Sequence, residues 1–244
     1  MTAPNAVTGM LVIMLDTLKL GRELQQGKEV VVALNKNIKI ALQKGVFIPD
    51  DESMYFIDII KRFVSRNKKS IDSIAEIGTG SGIIAISIAK KFPDIKVYGF
   101  DISEKAVELT RHNALLNGVE VHLFRNKDRV WLDAPQNIRA DLVVSNPPYV
   151  SDKEYFSKTF NKEYSDSDYQ PVRALRSYDT NGVRAYIEIF KAARWRKTRY
   201  IIFRCNTKST DKIRQALVKI GCMSVRKLKS STRRSNYLVV TLLT

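Results

Sequence analysis

At 244 residues, with 44% hydrophobic and 27% charged content, the chain is ordinary for a globular protein and suits one α/β domain with a small extension. Its two cysteines, Cys205 and Cys222, are too few for a disulfide framework, and no C-x-x-C exists to hold zinc, so a reducing cytoplasm is the expected location. The net charge of +16 is uneven: residues 191–234 hold fifteen Lys and Arg against the single acid Asp211, which points to a basic face that attracts polyanions or serves solubility.

Residues 5–24 read as a helix, with Val7, Met10, Leu11, Met14, Leu15 and Leu18 at helical spacing. The apolar run 10–15 is too short to span a bilayer and has no basic residue before it, so neither a membrane span nor a signal peptide is expected. Residues 30–34 and 38–42 read as two strands around the turn Asn35-Lys36-Asn37. Residues 1–50 are thus expected to form a helix-and-hairpin extension, and 51–244 the main domain. A helix is predicted over 51–64, followed by a polar link to the first sheet strand at 73–77.

That strand runs into Gly78-Thr79-Gly80-Ser81-Gly82 and then the apolar helix 83–90. Strand, glycine turn and helix form the first crossover of an open α/β sheet, where a ligand can approach the backbone and the helix-terminal N–H groups. The dinucleotide spacing G-x-G-x-x-G would need a glycine at Ile83, so the spacing here is G-x-G-x-G, with Glu76 before it. Taken alone, such a turn can also merely pack a helix on a strand.

Downstream, strands are predicted at 96–100, 119–124, 140–145 and 199–205, helices at 103–117 and 211–220, and a final hairpin from 222–229 and 236–243. The alternation predicts a doubly wound, mostly parallel sheet with an antiparallel edge. Ligands of such sheets bind beyond the C-terminal strand ends. Asp101 falls there, about twenty residues after the glycine turn, where a carboxylate can accept from both hydroxyls of a ribose. So does Asn146-Pro147-Pro148-Tyr149, directly after an apolar strand. Two prolines force the chain out over the strand end. The Asn146 amide and the Pro147 carbonyl can then accept from one planar NH2 group while Tyr149 stacks on its plane. An amide or exocyclic amine nitrogen has a delocalised lone pair, and holding both its hydrogens aligns it for attack on a methyl carbon. Nothing in the sequence pairs His112 or His122 with an acid or a nucleophile, and both are read as structural.

These stretches resemble the S-adenosylmethionine (SAM)-dependent N-methyltransferases with an N-P-P-Y motif, and more closely the HemK/PrmC group, which methylates the glutamine side chain of peptide-chain release factors. The match is carried by Val46-Phe47-Ile48-Pro49, the glycine turn, Asp101-Ile102-Ser103 with Asn113-Ala114, and Asn146-Pro147-Pro148-Tyr149-Val150. The resemblance implies a class I, Rossmann-like methyltransferase fold and SAM as cofactor. It implies cofactor contacts from Glu76, Gly78, Thr79, Gly80, Ser81, Gly82, Asp101, Ile102 and Asn146. It also places Trp131 beside the adenine and Asp128 at its amine. Asn146, Pro147, Pro148 and Tyr149 would hold the acceptor, with a release factor as partner. The chain departs from the group's pattern at Asp50-Asp51 (usually Arg-Pro), Gln170-Pro171 (usually Glu-Pro) and Asn181-Gly182-Val183 (usually D-G-L). Methylation of an adenine or guanine amine in RNA or DNA needs the same pocket, and the basic segment 191–234 favours that reading or a ribosome contact. A SAM-fold protein that only binds RNA is disfavoured by the intact motifs.

Overall fold

The computed structural model describes residues 23–126, 135, 137–157, 172–229 and 235–242. Predicted features at 5–22, and Asp128 and Trp131, lie outside these. Nine strands are described. Strands β1 (Val30–Asn35) and β2 (Ile38–Leu42) form a separate hairpin, and β3 (Ser73–Ile77), β4 (Lys96–Asp101), β5 (His122–Arg125), β6 (Leu142–Ser145), β7 (Tyr200–Asn206), β8 (Ser224–Lys229) and β9 (Ser235–Thr241) form one sheet. Its order is β5-β4-β3-β6-β7-β9-β8, parallel from β5 to β7 and antiparallel at β9 and β8. The predicted class I fold is therefore observed.

Alternation within the strands sets the two faces. Ile74, Val97, Leu142 and Val144 point to one side, where they meet α1 (Asp51–Arg66), α2 (Ile83–Lys91) and the hairpin. Ala75, Ile77, Phe100 and Val143 point to the other and meet Tyr186, Ile189 and Phe190. The last three lie on a helix absent from the predicted elements; after α3 (Glu104–Leu116), α4 (Asp152–Tyr155) and α5 (Val172–Leu175), it is α6 (Arg184–Trp195), and α7 (Thr210–Lys219) follows. Helix α1 starts where Asp50 accepts from Ser53 N–H and Ser53 Oγ accepts from Asp50 N–H, a reciprocal cap.

Asp50 also joins this helix to β7 of the sheet. Arg204 of β7 donates to its two carboxylate oxygens at 2.8 and 2.6 Å. Burial pushes the Asp50 carboxyl up, but the Arg204 guanidinium and the hydrogen bonds from Ser53 together outweigh this and hold it below its ordinary value. The residue that breaks the resembled pattern thus has a buried partner 154 positions away. Arg196 is also buried, donating from Nη1 to the carbonyls of Pro135 and Ile138. Two of the fifteen basic residues of 191–234 therefore serve the interior and add nothing to a basic face.

Candidate active site

The register lines up the three predicted elements. Ile77 is level with Phe100 on one side and Ser145 on the other, so Gly78, Asp101 and Asn146 emerge together at the strand ends. They emerge where the chain order reverses about β3 and β6, the place an open α/β sheet leaves for a ligand. A cavity of about 630 Å³ opens there.

The glycine turn is shaped by its own backbone. Gly78, Gly80 and Gly82 have φ of 78°, 56° and 79°, all left-handed, which glycine adopts without the Cβ penalty. Gly78 and Thr79 N–H both donate to Phe100 O, and Gly80 N–H donates to Asp101 Oδ2 at 2.9 Å. A Cβ on Gly82 would run into the Thr110 side chain of α3. Thr110 Oγ1 donates to Gly80 O, and Asn113 Nδ2 donates to Ser81 O and to Ala41 O of the hairpin. One helix therefore fixes both the turn and the N-terminal hairpin, through two side chains the motif reading gave no such task.

Glu76 lies beneath the turn, buried. Its Oε2 accepts from Thr79 Oγ1 and from Ala85 N–H, both at 2.9 Å, which satisfies a free amide at the start of α2. Burial pushes its carboxyl up to about 8 despite these bonds, and Asp101 adds to the rise. Asp101 is nearly buried as well. Burial raises its pKa against the N–H groups of Ser103 and Gly80, which donate to Oδ1 and Oδ2. Both its oxygens thus already hold one amide each, and further lone pairs remain for a ligand. Thr79 and Ser81 are buried; the Thr79 hydroxyl is committed to Glu76.

Across the cavity, Ser145 Oγ donates to Ile77 O at 2.7 Å and locks the end of β6 to β3. Asn146 follows, and its Oδ1 is buried without a hydrogen-bond partner. An unpaired buried acceptor costs about 1–3 kcal/mol, so a fold retains one where a ligand supplies the donor. Pro147 is buried and Tyr149 half-buried. The turn is braced from outside: Gly182, at φ 69°, lies so close that a Cβ there would collide with the Tyr149 carbonyl. Ile102, Pro148, Phe47 and Glu188 also line the cavity, the last two unforeseen as site residues. His112 and His122 do have acids nearby, Glu29 and Glu120, each at 3.6 Å, which corrects the sequence reading. Both pairs are exposed and neither histidine lines the cavity. Among the described residues no cluster suits a metal and no helix is long and apolar enough to cross a membrane.

A glycine turn, an acid on the next strand and an Asn-Pro-Pro-Tyr turn at one switch point define a methyltransferase site. The chain belongs to the methyltransferase small domain family, whose profile matches residues 37–164. The resemblance to release factor glutamine methyltransferases is borne out by relatives carrying that name. One, from Bacteroides thetaiotaomicron, is 37% identical over 159 residues, covering 65% of this chain and 53% of its own. An uncharacterized protein, MG259 of Mycoplasma genitalium, is 32% identical over 174 residues, covering 70% of this chain and 34% of its own. The chain thus spans about half or less of the lengths of these relatives. In fold it is similar to the human METTL16 catalytic domain solved with an RNA hairpin (TM-score 0.66, 13% identity, 82% of this chain and 72% of that one). It is also similar to the Thermus thermophilus 16S rRNA N2 G1207 methyltransferase RsmC with AdoMet and guanosine (TM-score 0.60, 13% identity, 88% and 50%).

Proposed function

We infer that the protein is a SAM-dependent N-methyltransferase acting on a planar NH2 group, and that its acceptor is the glutamine side-chain amide of a peptide-chain release factor. The observation that carries the chemistry is Asn146 Oδ1, a buried acceptor left without a donor at the mouth of the glycine turn. The residues present fit the cofactor. Left-handed glycines leave the turn open to close approach, Asp101 keeps lone pairs for ribose hydroxyls, and Glu76 sets a buried acid near a ligand that carries positive charge. Ile102 and Ser81 shape the same wall; Trp131 and Asp128 are assigned to the adenine by resemblance alone. When bound, SAM supplies an electrophilic methyl carbon on a sulfonium.

The chain's own groups do the rest. Asn146 Oδ1 and the Pro147 carbonyl accept from the two hydrogens of the acceptor nitrogen, and the Tyr149 ring covers its plane. Removing those hydrogens from solvent and fixing the plane aims the lone pair at the methyl group. The release-factor reading rests on the relatives named for that activity and on the sequence around Ile48-Pro49 and from Gln170 to Val183. The basic segment 191–234 is proposed to meet RNA or the ribosome, where release factors work.

Asn146→Ala tests the assignment. Losing a preorganised hydrogen-bonding group should lower kcat by roughly 10²-fold or more while SAM affinity changes less. Near-parental turnover in a folded variant would reduce the Asn-Pro-Pro-Tyr turn to a structural closure of β6.

A further inference from the structure

Beyond Tyr149 the chain builds a second surface that methyl transfer itself does not use. Val150 and Arg176 form a parallel bridge, with Val150 N–H donating to Leu175 O and Ser177 N–H donating to Val150 O. The bridge sets α4 and Phe156 alongside residues 176–178. Arg176 Nε donates to Asp152 Oδ1 at 2.7 Å, and its guanidinium lies 4.6 Å from the ring centroid of Tyr178, 4.8 Å from Phe156 and 5.5 Å from Tyr155. A guanidinium held in this way fixes the rings it touches. Their outer faces stay bare: Phe156 is 69% and Tyr178 45% exposed, and Tyr178 lines the cavity.

Tyr178 also has φ 54°, a conformation that glycine would adopt freely and a residue with a Cβ adopts at a cost. The fold thus tolerates backbone strain at the position that presents an exposed aromatic ring to the cavity mouth. Charge narrows what the ring meets. The cavity is lined by Glu76, Asp101 and Glu188 and, among the described residues, by no Lys or Arg. The stretch 150–184 carries six acids and six bases, whereas, among the described residues, the exposed bases of 191–234 fall on the C-terminal part of α6, on α7, on β8 and on the loops between these elements, and none lines the cavity. A nucleic-acid strand entering the cavity would bring phosphates to a wall with no positive side chain among the described residues, whereas grooves for single strands are positively charged. A polypeptide segment carries no such requirement.

We propose that Phe156 and Tyr178, backed by Arg176, form a specificity-determining rim that docks the polypeptide flanking the acceptor amide, with apolar side chains or peptide planes packing on the two exposed rings. This rests on the protein-acceptor reading above. It is tested with the full-length chain loaded with SAM, or with S-adenosylhomocysteine for binding. The purified release factor of the same cell is the titrant. Phe156→Ala and Tyr178→Ala should each raise the Kd and the KM for the release factor about tenfold, the scale of a buried aromatic anchor, with kcat and the SAM Kd within about twofold of the parent. Tyr178→Gly should weaken docking as much while keeping an equal or higher Tm, because it relieves the φ strain; a merely structural tyrosine would lower Tm instead. Unchanged Kd and KM in these variants, with a parent that methylates the release factor, would overturn the rim and leave the function standing. A parent that never methylates the release factor would overturn both. If the same variants instead raised KM for an RNA acceptor, the rim would be a base-stacking platform and the polypeptide proposal would fall.

Discussion

Glu76→Gln isolates the buried acid beneath the glycine turn. In the unfolded chain its carboxyl ionises near the ordinary value of 4.5, whereas in the folded protein burial pushes it to about 8. Between those values folding takes up a proton, so this group's contribution is fully present below 4.5 and is lost as pH rises through 8. One pH unit is worth about 1.4 kcal/mol, so the full displacement corresponds to a loss of about 5 kcal/mol, and about 3 kcal/mol of it is gone by pH 7. Glutamine keeps an oxygen for Thr79 and Ala85 but cannot ionise. The variant should therefore match the parent at about pH 5 and exceed it in stability by several kcal/mol at about pH 9, read by urea unfolding. The same acid should report on the cofactor. At pH 7 about nine-tenths of the free protein would hold the proton, and a positively charged ligand should expel it. Calorimetry in buffers of different ionisation enthalpy should show proton release on SAM binding by the parent and none by the variant. Parallel stability-versus-pH curves for parent and variant would refute the reasoning.

Asp101→Ala should weaken SAM by about 1.5–3 kcal/mol, the range for hydrogen bonds to a charged group, and equal dissociation constants by calorimetry would remove it from the site. Asp50→Asn leaves the buried Arg204 guanidinium without its counter-charge and should cost about 2–3 kcal/mol, less than a fully buried pair because the carboxylate is partly exposed; an unchanged Tm would show the pair to be idle. Reversing the exposed Lys212, Arg214 and Arg226 to Glu should flatten the salt dependence of RNA or ribosome association by roughly three in log–log slope if each meets one phosphate, and association that ignores salt from the start would return the segment to a solubility role.

The sheet and the site's central elements were legible because they obey local rules. An apolar run ending in Gly78-Thr79-Gly80-Ser81-Gly82 or in Pro147-Pro148 has few ways to continue, and register then brings Asp101 and Asn146 to the same level. Helix α6 is also marked in the sequence, since Tyr186, Ile189, Phe190 and Ala193 recur at helical spacing and are all buried. What could not be read depends on contacts between distant segments. Nothing near Asp50 announces Arg204, and nothing near Arg196 or Arg204 says that these two charges turn inward. The same holds for Phe47 and Glu188, which reach the cavity only through the fold. Tyr178 is the clearest case, since no spacing marks a tyrosine for left-handed backbone beside a cavity.

The most direct test of the central claim is to incubate the protein with labelled SAM together with the release factor and total RNA of the same cell, and to map the label by mass spectrometry. The account predicts one methyl group on a glutamine side-chain nitrogen of the release factor, lost with Asn146→Ala. Label in RNA with an unmodified release factor would contradict it.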